Sequence, residues 1–458
     1  MTEQCILSVG IDIGTSTTQL IFSEITIRNS ASGFSVPKME IADKKILYKS
    51  DIHFTPLKSD TEIDADGVLS IIKSEYEKAG YSVKDPKTGA IIITGETARK
   101  ENAKAVLLKM SDFSGDFVVA TAGADLESVL SGKGAGTDKI SEEYRTTCAN
   151  LDIGGGTTNV SVFNRGDTKD TACFDIGGRI IRFDKNRIVT HITPKIQDII
   201  NRENINIKIG TTLDIAELDK LLDITVNVLC DIFRENHSPY YGHLMTHKGL
   251  EFKNISHLTF SGGVAEGIYN DFEDPYIFGD IGLFLGKKIR NSSLFTDFTV
   301  LSPKETIRAT VVGAGSHATK ISGSTVYYDK ELLPLKSLPV LKISDDFLEE
   351  YKKKREWFDK NSPVAISIDI PPSPTYETVS RIAKSICKAV GTANEPIILI
   401  SGNDMGKALG YAIKGIHPSR KIISIDSVSL SDGDYIDIGS PIMGGMILPV
   451  VVKTILFQ

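Results

Sequence analysis

Two aspartates stand at matching places in two similar segments of the chain. Val9–Phe22 reads VGIDIGTSTTQLIF and Leu151–Phe163 reads LDIGGGTTNVSVF. With Asp12 laid on Asp152, Ile13-Gly14 falls on Ile153-Gly154 and Thr17-Thr18 falls on Thr157-Thr158. Such turns can hold a polyphosphate. Glycines admit close backbone approach and positive φ, main-chain N–H groups donate without bulk, and Thr and Ser hydroxyls add further donors. Gly14, Thr15, Ser16 and Thr17 would line one turn; Gly154, Gly155, Gly156, Thr157 and Thr158 would line the other. A hydrated Mg²⁺ takes only one or two carboxylates and keeps several waters, which suits Asp12 and Asp152 on opposite sides of one cleft. Ordinary glycine-rich hairpins are the simpler explanation of either segment alone. Two copies in register, each with its aspartate, argue against it.

A third segment, Leu258-Thr-Phe-Ser-Gly-Gly-Val264, reads as a strand that ends in Gly-Gly and enters a helix. There Ser261, Gly262, Gly263 and Val264 would let backbone touch a flat base and sugar. Its meaning comes from its place after the two hairpins.

The elements that must position these residues follow from patterning. β-Branched residues flanking a glycine-rich turn make each repeat a β-hairpin, and the 140-residue separation of Asp12 and Asp152 suggests two related domains. Between the hairpins lie an expected strand at Ala90–Thr94, a helix at Glu96–Met110, a strand at Phe117–Thr121 and a helix at Ala124–Leu130. Gly132-Lys-Gly-Ala-Gly136 reads as a flexible connector. Ser302-Pro303-Lys304-Glu305 has the cap, Pro and Glu of a helix start, with that helix running into Val311–Gly315. From about Ile321 strands and helices alternate as a separate α/β unit. The expected division is 1–148, 149–320 and 321–458.

Other patterns fall away. Ser401–Ala408 resembles a P-loop but lacks its first glycine and its final hydroxyl residue. His237, His243, His247 and His257 cluster in sequence without fixing a metal-ligand spacing. Five cysteines are spread without any CxxC pair, so they read as reduced, buried thiols. A net charge of −7 without a basic run argues against nucleic acid or an anionic membrane as partner. No apolar stretch reaches the roughly 18–20 residues of a bilayer span, and the N-terminus lacks a basic leader. A cytoplasmic protein is expected.

The order of motifs resembles that of the actin, sugar-kinase and heat-shock-70 superfamily: first phosphate, second phosphate, adenosine and a late small-residue helix. The resemblance implies an α/β, actin-like ATPase fold, two related domains around a cleft holding ATP and Mg²⁺, with the C-terminal α/β unit added. It places the residue that orients the attacking water in Asp125–Leu130, where Glu127 is the candidate; Glu127 and Asp152 form the expected catalytic pair. Gly313, Ala314 and Gly315 would be the small residues of the second connecting helix. Within the superfamily, SVGIDIGTSTTQLIFS, GAIIITGETARKENA, GDFVVATAGADLESVLSGKGAG, LDIGGGTTNVSVF and GDYIDIGSPIMGGMILPVVVKTILF are similar to the ethanolamine ammonia-lyase reactivating factors, from about Cys5 to Phe457. That implies an ATP-dependent, chaperone-like factor that releases damaged cobalamin from the lyase. A homodimer and association with a bacterial microcompartment are further expectations. Two other readings share the fold: a small-molecule kinase, for which no acceptor-site Asp stands out, and an actin-like filament or scaffold ATPase, for which no amphipathic terminal helix stands out.

Overall fold

The aliphatic runs on either side of Gly14 and Gly154 form the two hairpins of a duplicated sheet. In the computed structural model the described residues are 3–14, 17–29, 39–59, 62–94, 102, 106, 109, 118–121, 124–246, 248–317, 319–323, 325–343, 347–355, 363–369, 375–391, 395–428, 430 and 434–454. Glu3–Ile13 pairs antiparallel with Thr17–Asn29, placing Ile13 opposite Thr18 and Asp12 opposite Gln19. Thr147–Ile153 pairs antiparallel with Thr158–Asn164, placing Ile153 opposite Thr158 and Asp152 opposite Asn159. The two registers are the same.

Each hairpin gains a third antiparallel strand on one side and parallel strands on the other. The first sheet runs Met39–Lys49, Thr17–Asn29, Glu3–Ile13, Thr88–Ile93, Val118–Thr121, with His53–Phe54 also joined to Thr17–Asn29. The second runs Asp167–Phe174, Thr158–Asn164, Thr147–Ile153, His257–Ser261, Thr299–Val300. The central strands are buried on both faces, which is why they read as continuous Ile/Val/Leu runs rather than alternating ones.

Two helices exchange between the sheets. Ala124–Ala135 follows the first sheet in sequence yet packs on the strands of the second, while Ala309–His317 follows the second yet packs on Glu3–Ile13 and Thr17–Asn29. The helices cross where a Cβ on Gly134 would lie 1.7 Å from the Ala309 carbonyl oxygen and one on Gly313 would lie 2.0 Å from that of Leu130. Only glycine fits either place. This duplicated sheet plan with exchanged helices is the actin-like ATPase architecture.

Two expectations fail here. Gly132–Ala135 is not a flexible connector but the end of Ala124–Ala135, and its glycines serve close packing: a Cβ on Gly132 would meet Ser161 Oγ at 2.3 Å. The second crossing helix begins at Ala309 rather than at Ser302. Residues near that apparent start are spent on tertiary bonds instead: Lys304 N donates to Ala135 O at 2.8 Å, the Thr306 carbonyl accepts from Gly262 N at 3.1 Å, and Glu305 pairs with Lys49. The expected helix at Glu96–Met110 lies almost wholly outside the described residues.

The C-terminal unit carries an eight-stranded sheet whose middle strands, Leu335–Ile343, Ala365–Ile368, Ile397–Ser401 and Ile422–Ile425, run parallel. Helices Phe347–Arg355, Tyr376–Val390 and Gly406–Ile416 alternate with them. Ile442 and Ile447 of this unit bury against Ile6, Ile25 and Ile27, so it rests on the first sheet. Among the described residues no helix is long and apolar enough to cross a membrane.

Candidate functional site

The two turns are closed the same way. Gly14 N donates to Thr17 O and Gly154 N donates to Thr157 O, both at 2.9 Å. Each is then braced from outside through the matching carbonyl. Thr55 Oγ1 donates to Gly14 O at 2.8 Å, and Gly178 N donates to Gly154 O at 2.9 Å. Thr15 and Ser16, expected in the first turn, lie outside the described residues.

Asp12 and Asp152 stand one residue before the ends of the two central strands. Burial raises both carboxyls above the ordinary range, Asp12 to about 7 and Asp152 to about 6. The negative charge of Asp152 adds to the shift at Asp12, while a hydroxyl bond from Thr94 (2.8 Å) opposes it. Asp152 is 5% exposed and accepts from Ser261 Oγ at 2.5 Å and Thr310 Oγ1 at 3.4 Å. Two carboxyls raised by burial, each bonded by hydroxyls, are a chemistry that could hold a hard divalent cation.

A buried polar chain ends on Asp152. Thr259 Oγ1 shares a hydrogen bond with Thr137 Oγ1 at 2.7 Å and donates to Asn150 Oδ1 at 2.9 Å; Asn150 Nδ2 donates to Ser261 Oγ at 2.9 Å, which donates to the carboxylate. All of these side chains are buried. Donors aligned toward one acceptor polarise one another, so the chain holds Asp152 as an acceptor in one rotamer. Its sequence signal was available: polar residues at 150 and 152 on one strand, and at 259 and 261 on its neighbour, share a face by the two-residue period.

The third motif lies against the second turn. His257–Ser261 runs parallel to Thr147–Ile153 with Ser261 opposite Asp152. Gly262 has φ +83°, and a Cβ there would lie 2.4 Å from Ile153 O; Gly263 faces open space. Val264 precedes the short helix Ala265–Tyr269. Glu127 sits in the second turn's supporting helix, Ala124–Ala135, at 9% exposure. Gly313 is at the helix crossing, where it touches Leu130.

Sequence reasoning missed Thr94, Thr55, Thr310 and the Gly177-Gly178-Arg179 loop. That loop seats directly on the second turn: Arg179 N donates to Gly155 O at 2.6 Å, and a Cβ on Gly177 would lie 2.4 Å from that oxygen. A Gly-Gly pair following the strand Asp167–Phe174 was its only local sign.

Among the described residues the patterns set aside earlier do not assemble. His237 stacks on Tyr241 at 3.7 Å, His243 faces Lys195 O at 3.2 Å, and His257 faces Ser256 at 2.8 Å; His247 lies outside the described residues. The P-loop-like helix Gly406–Ile416 already has Gly406 N bonded to Asp426 Oδ2 at 3.2 Å. Asp51, His53 and Glu75 gather closely, but Lys78 Nζ bonds both carboxylates, at 2.8 and 2.7 Å, and supplies the cation itself. Four cysteines are buried as expected, whereas Cys5 is exposed.

Known proteins match along the whole chain. A family model described as ethanolamine utilisation protein EutA covers residues 3–458. Proteins named ethanolamine ammonia-lyase reactivase EutA, from Salmonella typhimurium strain LT2 and Escherichia coli strain K12, are each 34% identical, over 466 and 471 aligned residues; the alignments cover 100% of this chain and of theirs. A solved Ppx/GppA family member from Aquifex aeolicus aligns over 68% of this chain and 97% of its own at 12% identity and a TM-score of 0.41.

Proposed function

Since the chain belongs to the ethanolamine utilisation protein EutA family, we propose that it reactivates ethanolamine ammonia-lyase, using ATP to drive release of damaged cobalamin so that intact adenosylcobalamin can enter. The observation that carries this reading is the end-to-end match to two relatives named as reactivases, C-terminal unit included. ATP would lie between the turns, its phosphates on Gly14–Thr17 and Gly154–Thr158 and its adenosine on Ser261–Val264. Asp12 and Asp152 would hold Mg²⁺ through water; when bound, the ion neutralises charge on the phosphate oxygens.

The chain's own residues divide the work. Backbone N–H groups of the turns orient the terminal phosphate, and Thr94, Ser261 and Thr310 keep the two carboxylates in place. Glu127 would orient the attacking water. Hydrolysis removes the phosphate that touches both turns, and so weakens the bond between the two halves. Closure can be driven only by a ligand that contacts both halves better when they are closed. The Gly134–Gly313 crossing offers a pivot because the helix backbones there are in direct contact.

Reactivation tests the reading: inactivated holo-lyase, free adenosylcobalamin, Mg²⁺ and ATP, with and without this protein. Recovery of lyase activity only when protein and ATP are both present is expected. No recovery would overturn it. In the same system the affinity for inactivated lyase should differ between ATP- and ADP-bound forms by about 5–150-fold; equal affinities would remove nucleotide control of docking. Activity in the cytoplasm beside a microcompartment, possession of no nucleic-acid or membrane partner, and a homodimeric state are parts of the same proposal, read by fractionation and sedimentation.

A further inference from the structure

We infer that Arg179 is a phosphate ligand of the cleft, its guanidinium gripping the terminal phosphate of the bound nucleotide after leaving the ring of Phe54. The inference rests on the reading that the cleft takes ATP and adds a cation to it.

Three observations support it. The backbone of Arg179 is tied to the second turn through Gly155 O, and the preceding residue is tied to Gly154 O, so the origin of this side chain is fixed beside the phosphate site. From there the side chain reaches to the other half of the molecule. Its Cζ lies 5.6 Å from the centroid of Phe54, and Phe54 pairs with Thr17, the residue that closes the first turn. The guanidinium therefore lies at the junction of both turns, where a phosphate bridging them would sit.

The third observation is that the group is poorly satisfied. Among the described residues, Arg179 Nε is buried without a hydrogen-bond partner. Its ion pair with Asp280 Oδ2 is 3.8 Å long, and Asp280 Oδ1 already accepts from Gly282 N at 2.9 Å. Burial lowers the pKa of Arg179 and raises that of Asp280 to about 6, and the charge of each offsets only part of the shift at the other. The side chain is 27% exposed, and Phe54 beneath it is 73% exposed, so this cation–π contact is of the weaker, wet kind. A phosphate offers the guanidinium two parallel charge-assisted bonds instead. An arginine serving only to pair Asp280 would have no cause to lie over an exposed ring of the opposite half.

The test measures ATP and ADP affinity, with Mg²⁺, for the wild type, R179Q, R179K and F54L, together with thermal unfolding of each without nucleotide. R179Q should weaken ATP binding by roughly 10–100-fold and ADP binding by less than about threefold, the range expected for hydrogen bonds to charged groups. R179K keeps the charge and loses the fork, so it should fall between. F54L should bind ATP at least as tightly as the wild type. R179Q within about threefold of wild type for ATP overturns the inference and leaves the cleft reading standing. Should R179Q not fold, R179K at wild-type ATP affinity overturns it equally. A wild type that binds neither nucleotide overturns the cleft reading itself and the inference with it.

Discussion

The two glycine turns share a register and a closing hydrogen bond, yet they are supported by different materials. The first is braced by a side chain, Thr55, whose hydroxyl also meets Thr18 Oγ1 at 3.1 Å. The second is braced by backbone, Gly178 and Arg179, and backed by the buried chain from Thr137 to Asp152. Asp12 is half-buried and takes a hydroxyl from Thr94; Asp152 is more buried but takes two, and its carboxyl is raised less. Burial alone would give the opposite order. Hydrogen bonds to the ionised form, together with the charge Asp152 imposes on Asp12, decide which carboxylate ionises first.

If both turns serve one nucleotide, the asymmetry is one of support and not of necessity. Alanine at Asp12 or at Asp152 should each abolish Mg²⁺-dependent ATP hydrolysis while the apo protein stays folded; wild-type turnover in either variant would break the equivalence. E127Q should retain ATP affinity and lose about 10²–10⁴-fold in turnover, the range for one positioned base or orienter. An unchanged rate would return Glu127 to a structural place in its helix.

The carboxylates also make a pH prediction. Both have folded pKa values above the ordinary 3.8, Asp12 at about 7 and Asp152 at about 6. The folded state therefore holds protons that the unfolded chain releases near pH 4, so apo stability should fall as pH rises from about 4 to about 7. Urea titrations without Mg²⁺ should show that slope, flatter in D12N than in D152N because the larger shift is removed. Equal slopes in all three proteins would refute the ranking.

Smaller effects separate the two braces. G177A forces a Cβ against the Gly155 carbonyl and should cost about 1–3 kcal/mol, as overpacking does. T55V removes the hydroxyl that donates to Gly14 O and meets Thr18 Oγ1, and should cost about 1 kcal/mol. Chemical denaturation reads both, and a T55V loss larger than that of G177A would reverse the assignment of the stiffer turn.

Legibility followed range. Asp12, Gly14, Asp152 and Gly154 could be read because a hairpin turn is set by residues within a few positions of one another. Ser261–Val264 could be read as strand, turn and helix for the same reason, although its contact with Asp152 could not. Gly132 and Gly134 escape a local reading because glycine marks both a flexible link and a close approach, and local sequence does not distinguish them. Ser302–Glu305 carried a sound helix start that lost to bonds with Ala135, Gly262 and Lys49, all distant in the chain. Beyond the Gly-Gly pair before it, Arg179 carried no signal, since its neighbours Gly155, Phe54 and Asp280 come from three separate stretches.

By itself the sequence determined the two hairpins, the aspartates before their turns and the alternation of strand and helix in the C-terminal unit. These rest on turn chemistry and on side-chain periodicity, which act within a few residues. Only the tertiary structure decided that Ala124–Ala135 and Ala309–His317 exchange sheets, that Asp12 and Asp152 share one field, and that the guanidinium of Arg179 meets the ring of Phe54. Those outcomes depend on which buried faces and unspent hydrogen-bond groups find one another across more than a hundred residues, and no local pattern records that choice.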